Sequence, residues 1–250
     1  MVMELVTRLP YDHPYRWDGT AVGGQKLWRP DELGASLALW LDAEDTASIT
    51  LNGSTVSQWN DKSGNNNHAS QATATLQPSL SGKDIIFDGV DDGFNLTSQV
   101  LGEMYIYTVA RGSGYLFADS FDRIVYTSTN LIYWSNGAGD IFTGNTVTGY
   151  NNTQTQITEE FYNNVDTATT ALNGQNSLTG IFQPDFSISR IGRKWNAATG
   201  ISSWNGAINE IIIATDNADR QKLEGYLAWK WGLEANLPSG HPYESAPPTI

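Results

Sequence analysis

The chain has no cysteine, few basic residues and no long apolar segment. Without cysteine it forms neither disulfides nor thiolate metal sites, and it has no cysteine nucleophile. Fourteen Lys and Arg residues against 27 Asp and Glu residues give a net charge of −13, which repels the phosphate backbone of nucleic acids. No apolar run approaches the roughly 20 residues that a membrane-spanning helix needs, and the first ten residues lack the apolar core of a signal peptide. We therefore expect a protein made in a cytoplasm, with no nucleic-acid partner and no membrane span.

The residues that usually carry catalysis are also few. The three histidines, His13, His68 and His241, are far apart in sequence and match no metal-binding spacing. Hydrolysis of glycosides needs two carboxyl groups that face one cleft, whereas Glu159 and Glu160 would point to opposite sides of a strand. We expect these two acids to be solvated. The sequence thus predicts a protein that is not an enzyme and that needs no cofactor.

Short apolar segments bounded by turn residues dominate the chain. Turn dipeptides such as Asn52-Gly53 and Asn173-Gly174 supply the positive φ angles of tight turns, and connections this short favour antiparallel pairing. Gly112-Ser113-Gly114 lies between two apolar segments and is interpreted as a hairpin turn. The predicted strands are Leu37 to Leu41, Asp84 to Phe87, Met104 to Ala110, Tyr115 to Phe117, Arg123 to Tyr126, Leu131 to Trp134, Ser187 to Ile191 and Ile208 to Ala214.

One helix is predicted, over residues 216–232. Asp216 or Asn217 is suited to cap its first turn, the apolar residues between Leu223 and Trp231 fall on one face, and Gly232 ends it. We expect this helix to pack against one edge or end of the β-structure.

The first 34 residues show neither a helical nor an alternating pattern and are rich in proline, glycine and aromatic residues. We expect an extended arm over residues 1–34 and a single domain over residues 35–250. Because exposed aromatics are poorly solvated, the arm should lie on its own domain or on a neighbouring subunit. The pattern Leu-Pro-Xaa-Xaa-His-Pro-Tyr occurs at residues 9–15 and again at 237–243, so the two ends are expected to dock in similar ways. The candidate attachment residues are His13, Tyr15, Trp17 and Trp28.

Several ordered blocks carry a resemblance to a known family. They are residues 39–43 (LWLDA), 56–65 (VSQWNDKSGN), 86–92 (IFDGVDD), 204–212 (WNGAINEII) and 223–233 (LEGYLAWKWGL). Over about residues 35–243 these blocks resemble the laminin G-like jelly-roll domains of the concanavalin A-like superfamily. The resemblance implies an all-β fold, a two-sheet antiparallel jelly-roll sandwich with one C-terminal helix, and relatives among phage structural proteins and large bacterial surface proteins.

Two sets of residues are candidates for ligand binding. Aromatic side chains beside polar, glycine-rich loops suit the apolar faces of sugars; these are Trp134, Tyr150 and Trp195. Three aspartates offer the hard oxygen ligands that calcium prefers; these are Asp88, Asp91 and Asp92. Their spacing lacks the alternating acids and terminal Glu of a dedicated calcium loop, so solvated or loop-stabilising acids are the alternative.

Two functions follow as expectations. The first is a non-enzymatic virion structural protein, part of a capsid decoration, tail or fibre, held by its N-terminal arm and present in many copies or as a homo-oligomer. The second is a carbohydrate-binding adhesin or receptor-binding module. The first function places the protein in the virion, and the second allows a bacterial cell surface.

Overall fold

The computed structural model describes residues 21–22, 25–119, 124–127, 131–135, 147–148, 150–163, 167–181, 186–194 and 203–250. Within these ranges the protein is almost entirely antiparallel β-structure, with 18 strands and one α-helix. The strands are β1 (Ala21–Val22), β2 (Gln25–Lys26), β3 (Leu37–Asp42), β4 (Ile49–Asn52), β5 (Thr55–Trp59), β6 (Ala69–Ser70), β7 (Ser79–Ser81), β8 (Asp84–Asp88), β9 (Phe94–Leu101), β10 (Met104–Ala118), β11 (Ile124–Thr127), β12 (Leu131–Ser135), β13 (Val147–Thr148), β14 (Gln156–Tyr162), β15 (Thr167–Leu172), β16 (Gln175–Ile181), β17 (Ser187–Ile191) and β18 (Asn205–Ala214). The helix is α1 (Arg220–Trp231).

Sixteen of the described strands form one sheet that closes on itself, whereas β1 and β2 pair with each other in a separate sheet. Starting from β10, neighbouring strands pair in the order β17, β9, β6, β5, β7, β8 and β18, and β18 pairs with β10 again. These eight strands form a closed barrel, from which β3, β4, β11 to β13 and β14 to β16 extend as additional strands. The expected two-sheet jelly-roll sandwich is therefore wrong, although the protein is all-β as predicted. Closure removes the free edges that the ring strands would otherwise expose.

Strand β10 joins the parts of this sheet because it is 15 residues long. Its first part pairs with β14 and β18, and its last residues pair with β11 and β17. The hairpin predicted at Gly112-Ser113-Gly114 is absent, because the strand runs straight through these residues. Gly112 has a φ of 142°, and a Cβ there would collide with the backbone oxygen of Asn205 on β18. The glycine thus permits close approach of two strands and does not form a turn.

Apolar side chains form two clusters on opposite faces of the sheet. The barrel-side core cluster contains Leu39, Ile106 and Ile213, whereas the helix-side cluster contains Tyr107 and Ile212 and lies beneath α1. Because β18 is covered on both faces, its residues from Ala207 to Ala214 are apolar except for the buried Asn209 and Glu210. The core therefore sits both inside the barrel and between the barrel wall and the helix.

The helix begins later than predicted. It starts at Arg220, because the Asp216 side chain accepts hydrogen bonds from Ser36 Oγ and the Ala218 amide and holds the preceding residues in a turn. Gly232 ends the helix in the left-handed region at φ 68°, as predicted. No helix in the described ranges has the length and apolar character that crossing a membrane requires.

Part of the predicted arm packs on its own domain. Leu27 bridges to Thr249, and the Trp28 amide donates a 2.9 Å hydrogen bond to the carbonyl of Pro248. The Trp28 side chain is only 3% exposed, and its ring contacts Tyr226 of α1 edge-on at 6.4 Å between centroids. The arm candidates outside the described residues are His13, Tyr15 and Trp17.

Candidate functional site

Three carboxyl groups meet in the loop between β8 and β9. One ligand oxygen from each of Asp88, Asp91 and Asp92 lies within 4.8 Å of the others. Asp88 is exposed, Asp91 is half-buried and Asp92 is buried. These are the three calcium candidates of the sequence, and the structure brings them together. We call this group the acidic rim.

The local sequence explains why the three acids converge. The Asp88 carboxylate accepts hydrogen bonds from the amides of Val90 (2.8 Å) and Asp91 (3.3 Å), which is the side-chain turn that aspartate favours. Gly89 provides the positive φ of 78° that this turn needs. The Asp92 carboxylate accepts the Asp88 amide at 3.0 Å and closes the loop. Hydrogen bonds from backbone amides to the carboxylates thus hold three like charges near one another.

The electrostatics of the acidic rim favour a bound cation. Burial raises the pKa of Asp92 to about 6, and the charges of Asp88 and Asp91 act in the same direction. A divalent cation relieves this repulsion, and carboxylate oxygens are the ligands that calcium prefers. The donor set therefore fits calcium.

Polar residues of other strands border the acidic rim. Asn205 pairs with Asp88 in the register of β18 and β8, and the Arg193 side chain packs over Gly93. Arg193 also donates a 3.2 Å hydrogen bond to Asn95 Oδ1. The rim and its border thus present carboxylate acceptors together with amide and guanidinium groups.

The aromatic candidates are not assembled into a binding surface by the described residues. Tyr150 is 1% exposed, and its hydroxyl donates a 2.9 Å hydrogen bond to the carbonyl of Gly112, so its ring belongs to the core. Trp134 lies in β12, but its side chain is outside the described part of the chain. Trp195 also lies outside the described residues.

A buried charged network under α1 was missed by the sequence reasoning. Glu210 is 0% exposed and accepts hydrogen bonds from four donors; these are Trp40 Nε1 (2.8 Å), Tyr226 Oη (2.8 Å), Lys230 Nζ (2.9 Å) and Trp231 Nε1 (2.6 Å). Lys230 also pairs with Asp42 at 2.7 Å, and Asp42 pairs with Lys62 at 2.9 Å. Most of the motifs that carried the family resemblance meet here. The only signal in the sequence was a charge inside otherwise apolar segments.

Glu159 and Glu160 do point to opposite faces, but the expectation that they are solvated is wrong, since both are 0% exposed. Glu159 faces the helix and pairs with Arg220 at 3.0 Å, and Arg220 also pairs with Glu224 at 2.6 Å. Burial raises the pKa of Glu159 to about 8, and Glu224 adds to the shift. His241 of the C-terminal Leu-Pro-Xaa-Xaa-His-Pro-Tyr segment lies 2.8 Å from Glu224 and joins that segment to the helix.

No protein-family model matches the sequence, and no curated protein matches it. Among solved structures, the chain is similar to Trypanosoma rangeli sialidase in complex with sialic acid, with 13% identity over 72% of this chain and a TM-score of 0.47. It is also similar to domain 4 of a GH43 extracellular arabinanase from Geobacillus stearothermophilus, at 12% identity, 72% coverage and a TM-score of 0.48, and to a GH54 arabinofuranosidase, at 14% identity, 73% coverage and a TM-score of 0.47. The aligned region spans 31% of the sialidase chain, 92% of the arabinanase domain and 50% of the arabinofuranosidase chain.

These findings correct several expectations. The assignment to a concanavalin A-like, laminin G-like jelly roll is wrong, because eight strands close into a barrel. The resemblance had implied virion proteins and lectins of that family as relatives, whereas the similar structures are glycosidase chains and domains. The prediction of a non-enzymatic protein likewise finds no support in these comparisons, since the similar structures are of glycosidases. At 12–14% identity, these structures assign no activity to this chain.

Proposed function

We propose that this protein binds carbohydrate through the acidic rim, with calcium as the bound cation. The observation that carries the proposal is the convergence of three carboxylates within 4.8 Å in the loop between β8 and β9. Carboxylate, amide and guanidinium groups are suited to the hydroxyl groups of sugars, and calcium can coordinate such hydroxyls directly. The bordering Asn205 and Arg193 add donors next to the acids.

The packing of Trp28 bears on the choice between the two expected functions. An arm residue that binds another subunit must be accessible on the surface of its own domain. Trp28 is instead buried beneath its own helix. Of the candidate attachment residues, Trp28 is therefore held in its own domain and is not free to bind another subunit. A structural role in a virion, its protein partners and its location remain predictions that neither the structure nor the comparisons test.

A glycan array probed with the full chain in calcium chloride, and again in EDTA, tests the proposal. We expect binding to at least one class of glycan in calcium and at least a tenfold loss in EDTA. Asp91→Asn removes one rim ligand and should weaken calcium-dependent binding to a similar extent. Asp31→Asn removes an exposed acid outside the rim and should leave binding unchanged. Absence of glycan binding in both buffers, or full binding by Asp91→Asn, would refute the proposal.

A further inference from the structure

Glu160 is a fully buried carboxyl group with no basic side chain among the described residues to balance its charge. It lies on the face of β14 that carries Tyr162, a member of the barrel-side core cluster. Both carboxyl oxygens are buried, and no donor lies in good hydrogen-bonding geometry to either, although the Thr158 hydroxyl is near enough to lower the pKa of Glu160. An uncompensated charge in such a position costs several kcal/mol, so the group must be neutralised.

Other buried hydroxyl groups lie on the same face of the sheet as this carboxyl group. Thr158, two residues earlier on the same face of β14, and Thr108, which pairs with Thr158 across the ladder to β10, have buried hydroxyls without partners. Tyr150 is close enough for the Glu160 charge to raise its pKa, in addition to the larger effect of burial. Directly opposite Glu160 lie Ile106 on β10 and Thr170 on β15, so the polar groups that the described neighbouring strands offer on this face are hydroxyls.

The charge of Glu160 can be neutralised by a proton or by a bound cation, and the two differ in whether they also provide partners for these hydroxyls. Burial raises the pKa of Glu160 to about 8, opposed only by Thr158, and no basic side chain of the described residues contributes. A proton on Glu160 removes the charge, and the neutral carboxyl group can serve the nearby Thr158 hydroxyl, but the Thr108 hydroxyl is left unsatisfied, at about 1–3 kcal/mol. A cation coordinated by oxygen balances the charge and satisfies the hydroxyls together.

We propose that Glu160, Thr108 and Thr158 bind a monovalent cation, Na⁺ or K⁺, on the barrel-side face of the paired strands β10 and β14. A single carboxylate matches a single positive charge, so a divalent ion would leave an uncompensated charge in the core. Oxygen ligands alone suit a hard ion and exclude a soft metal. This site is separate from the acidic rim and does not depend on the proposed function.

Thermal unfolding of the full chain tests the proposal. At pH 8.5 we compare sodium, potassium and tetramethylammonium chloride at equal ionic strength, since the tetramethylammonium ion is too large to enter. The unfolding temperature should be about 2–4 °C higher in the sodium or the potassium salt than in the tetramethylammonium salt. A shift of this size is expected when the cation concentration is roughly ten times the dissociation constant of one site. At pH 6 the difference should disappear, because protons compete with the cation for Glu160.

Variants separate this site from general salt effects. Glu160→Gln should unfold at one temperature in all three salts, and Thr158→Val should reduce the difference. Glu159→Gln changes the neighbouring acid on the opposite face and should retain the difference despite lower stability. Equal unfolding temperatures of the wild-type chain in the three salts would overturn the proposal in favour of a protonated carboxyl, as would a difference that persists in Glu160→Gln.

Discussion

At the scale of single residues, the buried charges beside α1 are paired with groups of opposite charge. Lys230 of α1 is held between Asp42 and Glu210 at 2.7 and 2.9 Å, and all three residues are buried between the helix and the sheet. A buried ion pair of this kind adds little net stability, but removing one partner is strongly destabilising. The network therefore mainly determines which face of α1 meets the barrel wall.

The same residues predict how stability depends on pH. Burial alone would raise the pKa of Asp42, but Lys230 and Lys62 lower it from 3.8 to about 2. Since the folded pKa lies below the unfolded value, the contribution is present above pH 4 and is lost as the pH falls from about 4 to 2. Asp42 should account for a loss of about 2 kcal/mol over this range, measured by denaturant unfolding at each pH.

Asp42→Asn should be less stable at pH 7 and should lose correspondingly less between pH 4 and pH 2. Glu32→Gln, which alters a pair with Lys26 at the surface, should keep the wild-type profile. Equal acid sensitivity of Asp42→Asn and wild-type chains would contradict this role for Asp42.

At the scale of elements, β10 shows how glycine allows one strand to pair with several others. Gly112, Gly114 and Gly206 all have positive φ angles, and at these positions the backbone of β10 approaches β18 or the two residues just before it closely. A side chain at any of them would separate the strands that complete the barrel.

Gly112→Ala tests this role of glycine. The new Cβ would collide with the backbone oxygen of Asn205, so we expect a loss of about 3 kcal/mol or more in the free energy of unfolding. Gly102→Ala is the matched control, because Gly102 also has a positive φ, of 93°, but a Cβ added there would meet no atom within 4 Å. It should cost only the backbone strain of about 1 kcal/mol. Similar losses in the two variants, measured by urea unfolding, would show that close approach is unimportant.

At the scale of the whole molecule, the two ends of the described chain stabilise each other. Leu27 bridges to Thr249, and the Ile250 amide donates a 2.9 Å hydrogen bond to the Lys26 carbonyl. Between these contacts and α1 lies the ring of Trp28, which contacts Tyr226. Residues far apart in sequence thus cover the helix-side cluster together.

Trp28→Ala should therefore destabilise the entire domain. Loss of a large buried ring leaves a cavity, and we expect the free energy of unfolding to fall by about 3–5 kcal/mol. Thermal unfolding should remain a single transition at a lower temperature. Leu51→Ala, which removes an exposed apolar side chain, should change the unfolding temperature little. A Trp28→Ala chain as stable as the wild type would mean that this segment does not belong to the core.

Local patterns identified the elements better than their assembly. The apolar segments at Leu37 to Leu41, Asp84 to Phe87 and Ile208 to Ala214 form strands with nearly the predicted bounds. Strand β14 was missed, because Glu159 and Glu160 in its centre resemble surface residues. The three aspartates of the acidic rim could be named from sequence, since they lie in one short loop. The network around Glu210 could not, because its members come from distant segments, with 170 positions between Trp40 and Glu210.

The sequence alone determined an all-β protein with one C-terminal helix, because turn dipeptides, apolar segments and a glycine cap act over a few residues. Only the tertiary structure decided that the strands close into a barrel and that acids such as Glu160 are buried. Pairing between β10 and its four partner strands joins segments whose local patterns would suit a sandwich equally well. Closure of the barrel and burial of these acids depend on contacts between residues that are distant in sequence. No repeating pattern of residue types along the chain predicts such contacts.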